Sequence, residues 1–338
     1  VLERSGIPLS FYEKLIIGLM DARAPLVLGT NTGASDLNGL QTNLAVNLLN
    51  LVLDPNLRLI DFSARHRVET AAKRSDILQF FFSLNTEGAD LLLLNNVDPA
   101  FALPKNSGVK QALENDKIFV VCFTNFMNET AEMADLVLPV RMPLETWDEY
   151  SGKAQLVSTL QPAMGKMTKA SSLGDIMLSA GFENNPPAKK YKDYLISNLA
   201  EKRGITDEIQ WIETLQKGGK FGLTVTPHKE QTSPNAKDLA DILTKKPESP
   251  ESDLAFTAMP SIRFFDGRGA NKPWLDEVPD PLSRIAWQTP IILNPKTAGA
   301  NGINQEDIIE LQSEFGKLEA VVYVSELVNP GLAVMSIG

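Results

Sequence analysis

The sequence predicts an α/β protein, with Rossmann-like parallel-sheet lobes followed by a small β-barrel. Strand-length apolar runs such as Ala89–Leu94 and Ile118–Phe123 lack polar alternation, as expected of strands covered by helices on both faces. These runs alternate with helical patterns, the signature of parallel βα units. From about Pro260 onward, short strand patterns separated by turn signals take over, and a small barrel is the natural closure.

The elements follow in order. Ser10 is the expected N-cap of a helix with Tyr12, Leu15, Ile16, Leu19 and Met20 on one face. Pro25 leads into a short strand, Leu26–Gly29, then a polar loop, Thr30–Asp36, and an apolar helix from about Leu40 to Leu53. A second series has a helix at Asp76–Leu84, the strand Ala89–Leu94, a helix at Gly108–Asn115 and the strand Ile118–Phe123. Asn184-Asn185-Pro186-Pro187 breaks the pattern. Helical pieces follow at Tyr191–Lys202 and Asp207–Lys217, then a linker-like stretch, Thr244–Asp253. The final strands are expected at Pro290–Leu293, Asp307–Gln312, Lys317–Val324 and Leu332–Ile337. Turns are expected at Glu314–Lys317 and Asn329–Gly331. The resulting division is a partial Rossmann-like lobe over 1–62, a second lobe over 63–182, an insertion over 183–258 and a partial β-barrel over 259–338.

The 338 residues carry a formal net charge of −10, with 43% hydrophobic and 22% charged residues. That is ample for globular cores. It lacks the clustered basic stripe of a nucleic-acid binder, so no nucleic-acid partner is expected. Acidity favours solubility or docking to a basic partner. The single cysteine, Cys122, sits in an apolar strand and is expected to be a buried, inert thiol. One cysteine cannot form an intrachain disulfide or hold an iron–sulfur cluster. The two histidines, His66 and His228, are far apart, and no metal site is expected. No apolar run approaches the roughly 20 residues of a membrane span. The chain opens on Val1 and closes just after a strand-like run, so it reads as a fragment or a processed product.

Four places carry possible chemistry. The loop Gly29-Thr30-Asn31-Thr32-Gly33 joins a strand to a helix. Its glycines would let N–H groups approach a phosphate, or it is a plain βα turn. Asn96 and Asp98 end a strand before Pro99. They would bond a ribose or a guanine edge, or form an Asx turn. In Asn128–Pro139, NETAEMADLVLP, Glu129 and Thr130 open a helix whose dipole an acidic first turn complements. Asp135, flanked by apolar residues, is expected to bond backbone donors or a ligand. Trp147-Asp148-Glu149-Tyr150 is an aromatic–acidic run, either a solvated loop or a partner surface.

NETAEMADLVLP resembles a signature of molybdopterin oxidoreductase large subunits, where the segment lines the groove for a pyranopterin dinucleotide. The rest of the chain is similar to that family too. Leu26–Leu53 looks like its strand, loop and A-x-N-L-L-N helix, and Ala89–Pro104 like its NP…P strand. Met259–Gly338 looks like the start of its dinucleotide-binding barrel, carrying Asp266–Pro281 and Ile292–Ala298. The phrases WLxExPDP and ETAxxADLVLPxxxxLExW are most similar to the large subunit of alternative complex III and related quinone-reductase complexes, and the chain corresponds to a C-terminal-half fragment of it. The resemblance implies a subunit with the fold but no cofactor of its own. It also implies partners that hold iron–sulfur clusters and haems: an iron–sulfur subunit, a quinol-binding polytopic membrane subunit and a multihaem cytochrome c. The place would be peripheral, on the periplasmic side of the cytoplasmic membrane. A vestigial pterin-dinucleotide groove would involve Asn31, Thr32, Asn96, Asp98, Thr124, Thr130 and Asp135.

Three departures from the catalytic family favour that subgroup. Thr124 stands where many catalytic members have Asp, and Leu144-Glu145-Thr146-Trp147 replaces their E-x-x-G-T-x-x-N stretch. Glu306 stands where the barrel usually has a turn glycine, which suggests a relaxed loop constraint. The second reading is a catalytic subunit with a molybdenum pterin dinucleotide, of the polysulfide, thiosulfate or tetrathionate reductase type.

Overall fold

The computed structural model describes residues 7–29, 38–182, 185–223, 236–245, 254–313 and 316–337. They divide into two units, residues 1–60 with 230–338, and residues 61–229. The 183–258 stretch contributes to both.

Helix α1 (Leu9–Asp21) begins one residue before the expected cap. Pro8 takes the N-cap position and no side chain bonds there, so Ser10 lies inside the helix. On its apolar face Leu15, Ile16 and Met20 are exposed. Helix α2 (Gly39–Leu53) follows, with Asn50 buried.

The expected strand at Leu26–Gly29 is instead irregular, and no strand of the described residues pairs with it. The Asn50 amide takes the ladder's place. Its Nδ2 donates to the Val27 carbonyl and its Oδ1 accepts the Val27 N–H, both at 2.8 Å. A primary amide offers the same donor and acceptor as a peptide unit. Asn50→Leu is therefore expected to lose about 1–3 kcal/mol, because Val27 keeps two polar groups without partners. Chemical denaturation checks this, and an unchanged midpoint would contradict it.

In the 61–229 unit, helix α3 (Arg74–Thr86) precedes strand β1 (Leu91–Asn95). Short helices α4 (Pro99–Ala102) and α5 (Val109–Leu113) lead to β2 (Phe119–Phe123). Helix α6 (Glu129–Glu132) leads to β3 (Leu136–Leu138). The three strands form a parallel sheet in the order β1-β2-β3, with Leu92 opposite Val120 and Val121 opposite Leu136. Both faces of central β2 are covered. Val120 and Cys122 pack with Phe81, Leu84 and Leu113, while Val121 and Phe123 pack with Val140 and Leu173. That two-sided burial is why β2 has no polar alternation.

A second, antiparallel sheet joins β4 (Asp148–Tyr150), β5 (Leu156–Leu160) and β6 (Gly219–Phe221). Around it lie helices α7 (Leu173–Gly181), α8 (Tyr191–Arg203) and α9 (Glu208–Lys217). The Trp147–Tyr150 run is thus not a solvated loop: residues 148–150 pair with β5, and Trp147 packs on Trp211 at 6.0 Å between ring centroids. Val157, Leu199 and Ile205 form the small core below.

In the other unit, helix α10 (Ala236–Thr244) is bonded to α2 through the Gln41 amide, which donates to the carbonyls of Ile242 (3.0 Å) and Lys245 (3.1 Å). The C-terminal part contains β7 (Ala255–Pro260), α11 (Pro273–Asp276), β8 (Ile291–Leu293), α12 (Pro295–Ala300), β9 (Ile308–Ser313), β10 (Gly316–Val324) and β11 (Leu332–Ile337). The strands form one sheet in the order β7-β11-β8-β10-β9. The expected barrel is not closed: among the described residues β7 and β9 are free edges. Strand β7 straddles the expected boundary between the insertion and the barrel at 258/259, where no strand was expected. The hairpin centre at 314–315 lies outside the described residues, although Ser313 pairs with Gly316 across it. Ile291, Leu293, Val322 and Ala333 form the fully buried centre.

The loop before β9 corrects one expectation. Glu306 keeps φ at 70° and donates its N–H to the Val322 carbonyl at 3.0 Å. The left-handed turn is therefore present here without a glycine. A non-glycine residue there costs roughly 1–2 kcal/mol. Glu306→Gly is expected to stabilise the protein by about 1 kcal/mol, read as a raised thermal midpoint. A lowered midpoint would show that the Glu306 side chain contributes more than the strain.

Candidate functional site

In a parallel sheet, ligands bind beyond the carboxyl ends of the strands. The 61–229 unit has a cleft of about 710 Å³ there, reached by Asn95 and Asn96 after β1 and by Val140 and Arg141 after β3. Trp147, Asp148, Met177 of α7, and Tyr191 and Tyr194 of α8 complete the walls.

Asn96 sits in the left-handed region, φ 49°, a conformation asparagine tolerates better than most residues. Its N–H donates to the Phe123 carbonyl at 2.9 Å, which fixes the loop to β2 and leaves the residue exposed at the cleft. Asp98 turns the other way. Its Oδ1 N-caps α4 by accepting the Phe101 N–H (3.3 Å), and it also accepts the Thr130 N–H (3.2 Å) and the Thr130 hydroxyl (2.5 Å). Thr130 is fully buried, and its Oγ1 accepts the Ala100 N–H at 3.1 Å. The loops after β1 and β2 are thereby stitched together.

Asp135 accepts the Val120 N–H at 2.7 Å, closing the start of β2. Thr124 is buried. Its N–H donates to the Leu138 carbonyl (3.2 Å), and its hydroxyl donates to the Phe126 carbonyl (3.1 Å). Asn128, not Glu129, caps α6, accepting the Ala131 N–H at 2.8 Å. Glu129 stands exposed in the first turn, where its charge favours the helix dipole. Asn31 and Thr32 lie outside the described residues. Gly29, just before them, meets the Asn43 side chain so closely that a Cβ would fall 2.0 Å from its Oδ1. Close packing on α2 accounts for that glycine.

Sequence reasoning missed Arg141, Tyr191 and Tyr194. The two tyrosines, three positions apart, share one helix face, and their rings stack at 6.1 Å. Arg141 is held by a bond from its Nε to the Ala170 carbonyl at 3.0 Å. Beside it the buried Glu145 accepts the N–H groups of Met167 and Met142. Those bonds and the Arg141 charge hold its carboxyl below the usual range. Lys192 lies over the Trp147 ring, 4.8 Å from its centroid. Burial pushes the Tyr191 hydroxyl up to about 12, helped by the Asp148 and Glu149 charges and a hydrogen bond to Asp148. A spectrophotometric tyrosinate titration should show one tyrosine ionising near pH 12, absent in Tyr191→Phe. The folded state holds this proton more tightly than the unfolded one. Its contribution is therefore present below pH 10 and lost as pH rises towards 12. Uniform ionisation near the ordinary value would contradict this.

Two family models match the chain. Residues 26–175 match "Molybdopterin oxidoreductase", and residues 276–338 match "Molydopterin dinucleotide binding domain". The chain belongs to the molybdopterin oxidoreductase family. Along its whole length it is similar to the menaquinone reductase, molybdopterin-binding-like subunit of Nitratidesulfovibrio vulgaris, at 24% identity over 360 residues. It spans about half (50%) of that relative's length. Among solved structures it is similar to acetylene hydratase from Pelobacter acetylenicus, with a TM-score of 0.50 and 17% identity. That match covers 76% of this chain and 38% of the other, and shows the fold alone.

The family's pterin dinucleotide can be tested against these residues. Of the expected set that is described, only Asn96 lines the cleft. Asp98, Thr124, Thr130 and Asp135 are bonded to backbone or to each other, and none leaves a buried polar atom without a partner. They do not gather into a cradle for the group. Burial, then the Asp98 charge, pushes the Cys122 thiol up, as suits an inert core thiol.

Proposed function

We propose that this chain is a non-catalytic, molybdopterin-oxidoreductase-like subunit of a membrane-bound complex that oxidises quinol or reduces quinone. In this reading it scaffolds an iron–sulfur subunit, a quinol-binding polytopic membrane subunit and a multihaem cytochrome c. It is peripheral, on the periplasmic side. The observation that carries the reading is the internal use of the groove residues: Asp98 and Thr130 bond each other, and Asp135 bonds a strand amide. A cofactor-binding loop would hold such groups open. The name of the Nitratidesulfovibrio vulgaris relative, a binding-like subunit of a menaquinone reductase, agrees with it. Among the described residues no helix is long and apolar enough to cross a membrane, consistent with attachment through partners.

The test is affinity purification of the tagged chain from detergent-solubilised membranes of its source. Co-elution of iron–sulfur and haem-bearing subunits is the expected result. A chain that elutes alone would overturn the scaffold reading. The match of residues 276–338 to the dinucleotide-binding domain favours the second reading, a catalytic molybdenum pterin subunit. Reading the gene upstream of Val1 separates the two. A Cys-x-x-Cys-x-x-x-Cys run and a Ser or Cys metal ligand would favour catalysis.

A further inference from the structure

The five-stranded sheet has two faces. Ile291, Val322 and Ala333 pack into the core on one of them. Successive strand residues face opposite sides, so their neighbours Ile292, Tyr323 and Val334, paired in a row across β10, β8 and β11, face the other way. There they form the floor of a second cavity, of about 450 Å³. Leu332, Val334 and Ser336 alternate along β11 as its long wall.

The charged groups of the lining are already committed. Arg263 donates from Nη1 to the carbonyls of Asp276 (3.3 Å) and Val278 (2.9 Å), and from Nη2 to that of Gln288 (3.3 Å). Its Nε is buried and cannot reach an occupant. Asp280 Oδ1 accepts the Leu282 N–H and the N–H and hydroxyl of Ser283. Two further hydroxyls are tied to loop amides: Ser261 accepts from Arg263 and Phe264, and Ser325 from Leu327. Thr289 has a partner too. Three neutral side chains remain. Tyr323, Asn329 and Ser336 line the cavity, and their side chains bond nothing among the described residues. The Tyr323 and Ser336 hydroxyls keep accessible surface, and Asn329 is exposed. All three can therefore meet an occupant.

Their placing sets the shape of that occupant. Asn329 lies at the Leu332 end of β11, where its carbonyl accepts the Leu332 N–H at 3.2 Å. Ser336 lies at the other end, about 13 Å further along the strand. The lining between them is apolar, Ile292, Leu332 and Val334, with Tyr323 on the flank. A mostly apolar pocket of this size with a few polar groups is the usual form of a small-molecule site.

We propose that this cavity binds an uncharged molecule with an apolar middle and a hydrogen-bonding oxygen or amide at each end. Ser336 holds one end and Asn329 the other, with the Tyr323 hydroxyl beside the chain between them. The site is separate from the cleft of the 61–229 unit and does not rest on the scaffold reading.

Calorimetric titration of the full chain with 1,8-octanediol tests it, with octanedioate as the charged counterpart of the same length. Saturable one-to-one binding of the diol is expected, at least tenfold tighter than octanedioate, because Arg263 is already bonded and no other cation lines the cavity among the described residues. Ser336→Ala, Asn329→Ala and Tyr323→Phe should each weaken diol binding about three- to tenfold. The thermal midpoint should stay unchanged in all three, since none of these side chains bonds the protein. Absence of saturable binding, octanedioate binding as tightly as the diol, or wild-type affinity in all three variants would each overturn the proposal.

Discussion

Thr130→Val is expected to lower stability by about 2–3 kcal/mol, seen as a lowered urea midpoint. The hydroxyl is fully buried and serves both loops, donating to Asp98 and accepting from the Ala100 N–H. Valine keeps the shape but strands that N–H in the interior and removes a hydrogen bond to a carboxylate. Removing one partner of a buried pair costs more than the bond itself contributes, because the survivor stays desolvated. Thr130→Ser should recover most of the loss, since it restores both bonds. If valine proves neutral, Asp98 and Thr130 are not a structural stitch, and their use as ligand contacts returns to consideration.

Leu293→Ala in the five-stranded sheet should cost about 2–5 kcal/mol. Leu293 is 1% exposed and packs among Ile291, Ala298 and Val322. Strand β8 lies between β10 and β11, bonded to both. Its backbone is therefore not free to collapse into the vacated volume, which puts the loss toward the upper end. Circular dichroism during denaturation checks this, and a change below about 1 kcal/mol would mean that the sheet relaxes around the gap.

How far the sequence shows this depends on whether an element is defined by its own residues or by its partners. Strands β1, β2, β10 and β11 are legible to within two residues; β2 is buried on both faces, whereas β1 buries Leu92 and Leu94 and leaves Leu91 and Leu93 exposed. Leu26–Gly29 has the same apolar look but no pairing strand among the described residues; the Asn50 amide satisfies Val27, and a side chain 23 residues away leaves no local trace. Trp147–Tyr150 looks like a loop because three of its residues are polar or amphipathic, yet β5 gives it a partner. The open five-stranded sheet depends on β7, which pairs with β11 across more than seventy residues. At the site, Asp98, Thr130 and Asp135 were each visible as polar residues at loop positions. What was not visible is that Asp98 and Thr130, 32 residues apart, bond each other. Arg141 and the tyrosines of α8 escaped notice because only the fold brings them to one cleft.

In the proposed function, the family's groove survives in this chain as fold rather than as cofactor site. Metal analysis with pterin fluorescence on the purified complex tests it most directly. Iron without stoichiometric molybdenum or tungsten, and without pterin fluorescence after denaturation, is the predicted result. One molybdenum or tungsten per chain, with released pterin, would contradict it.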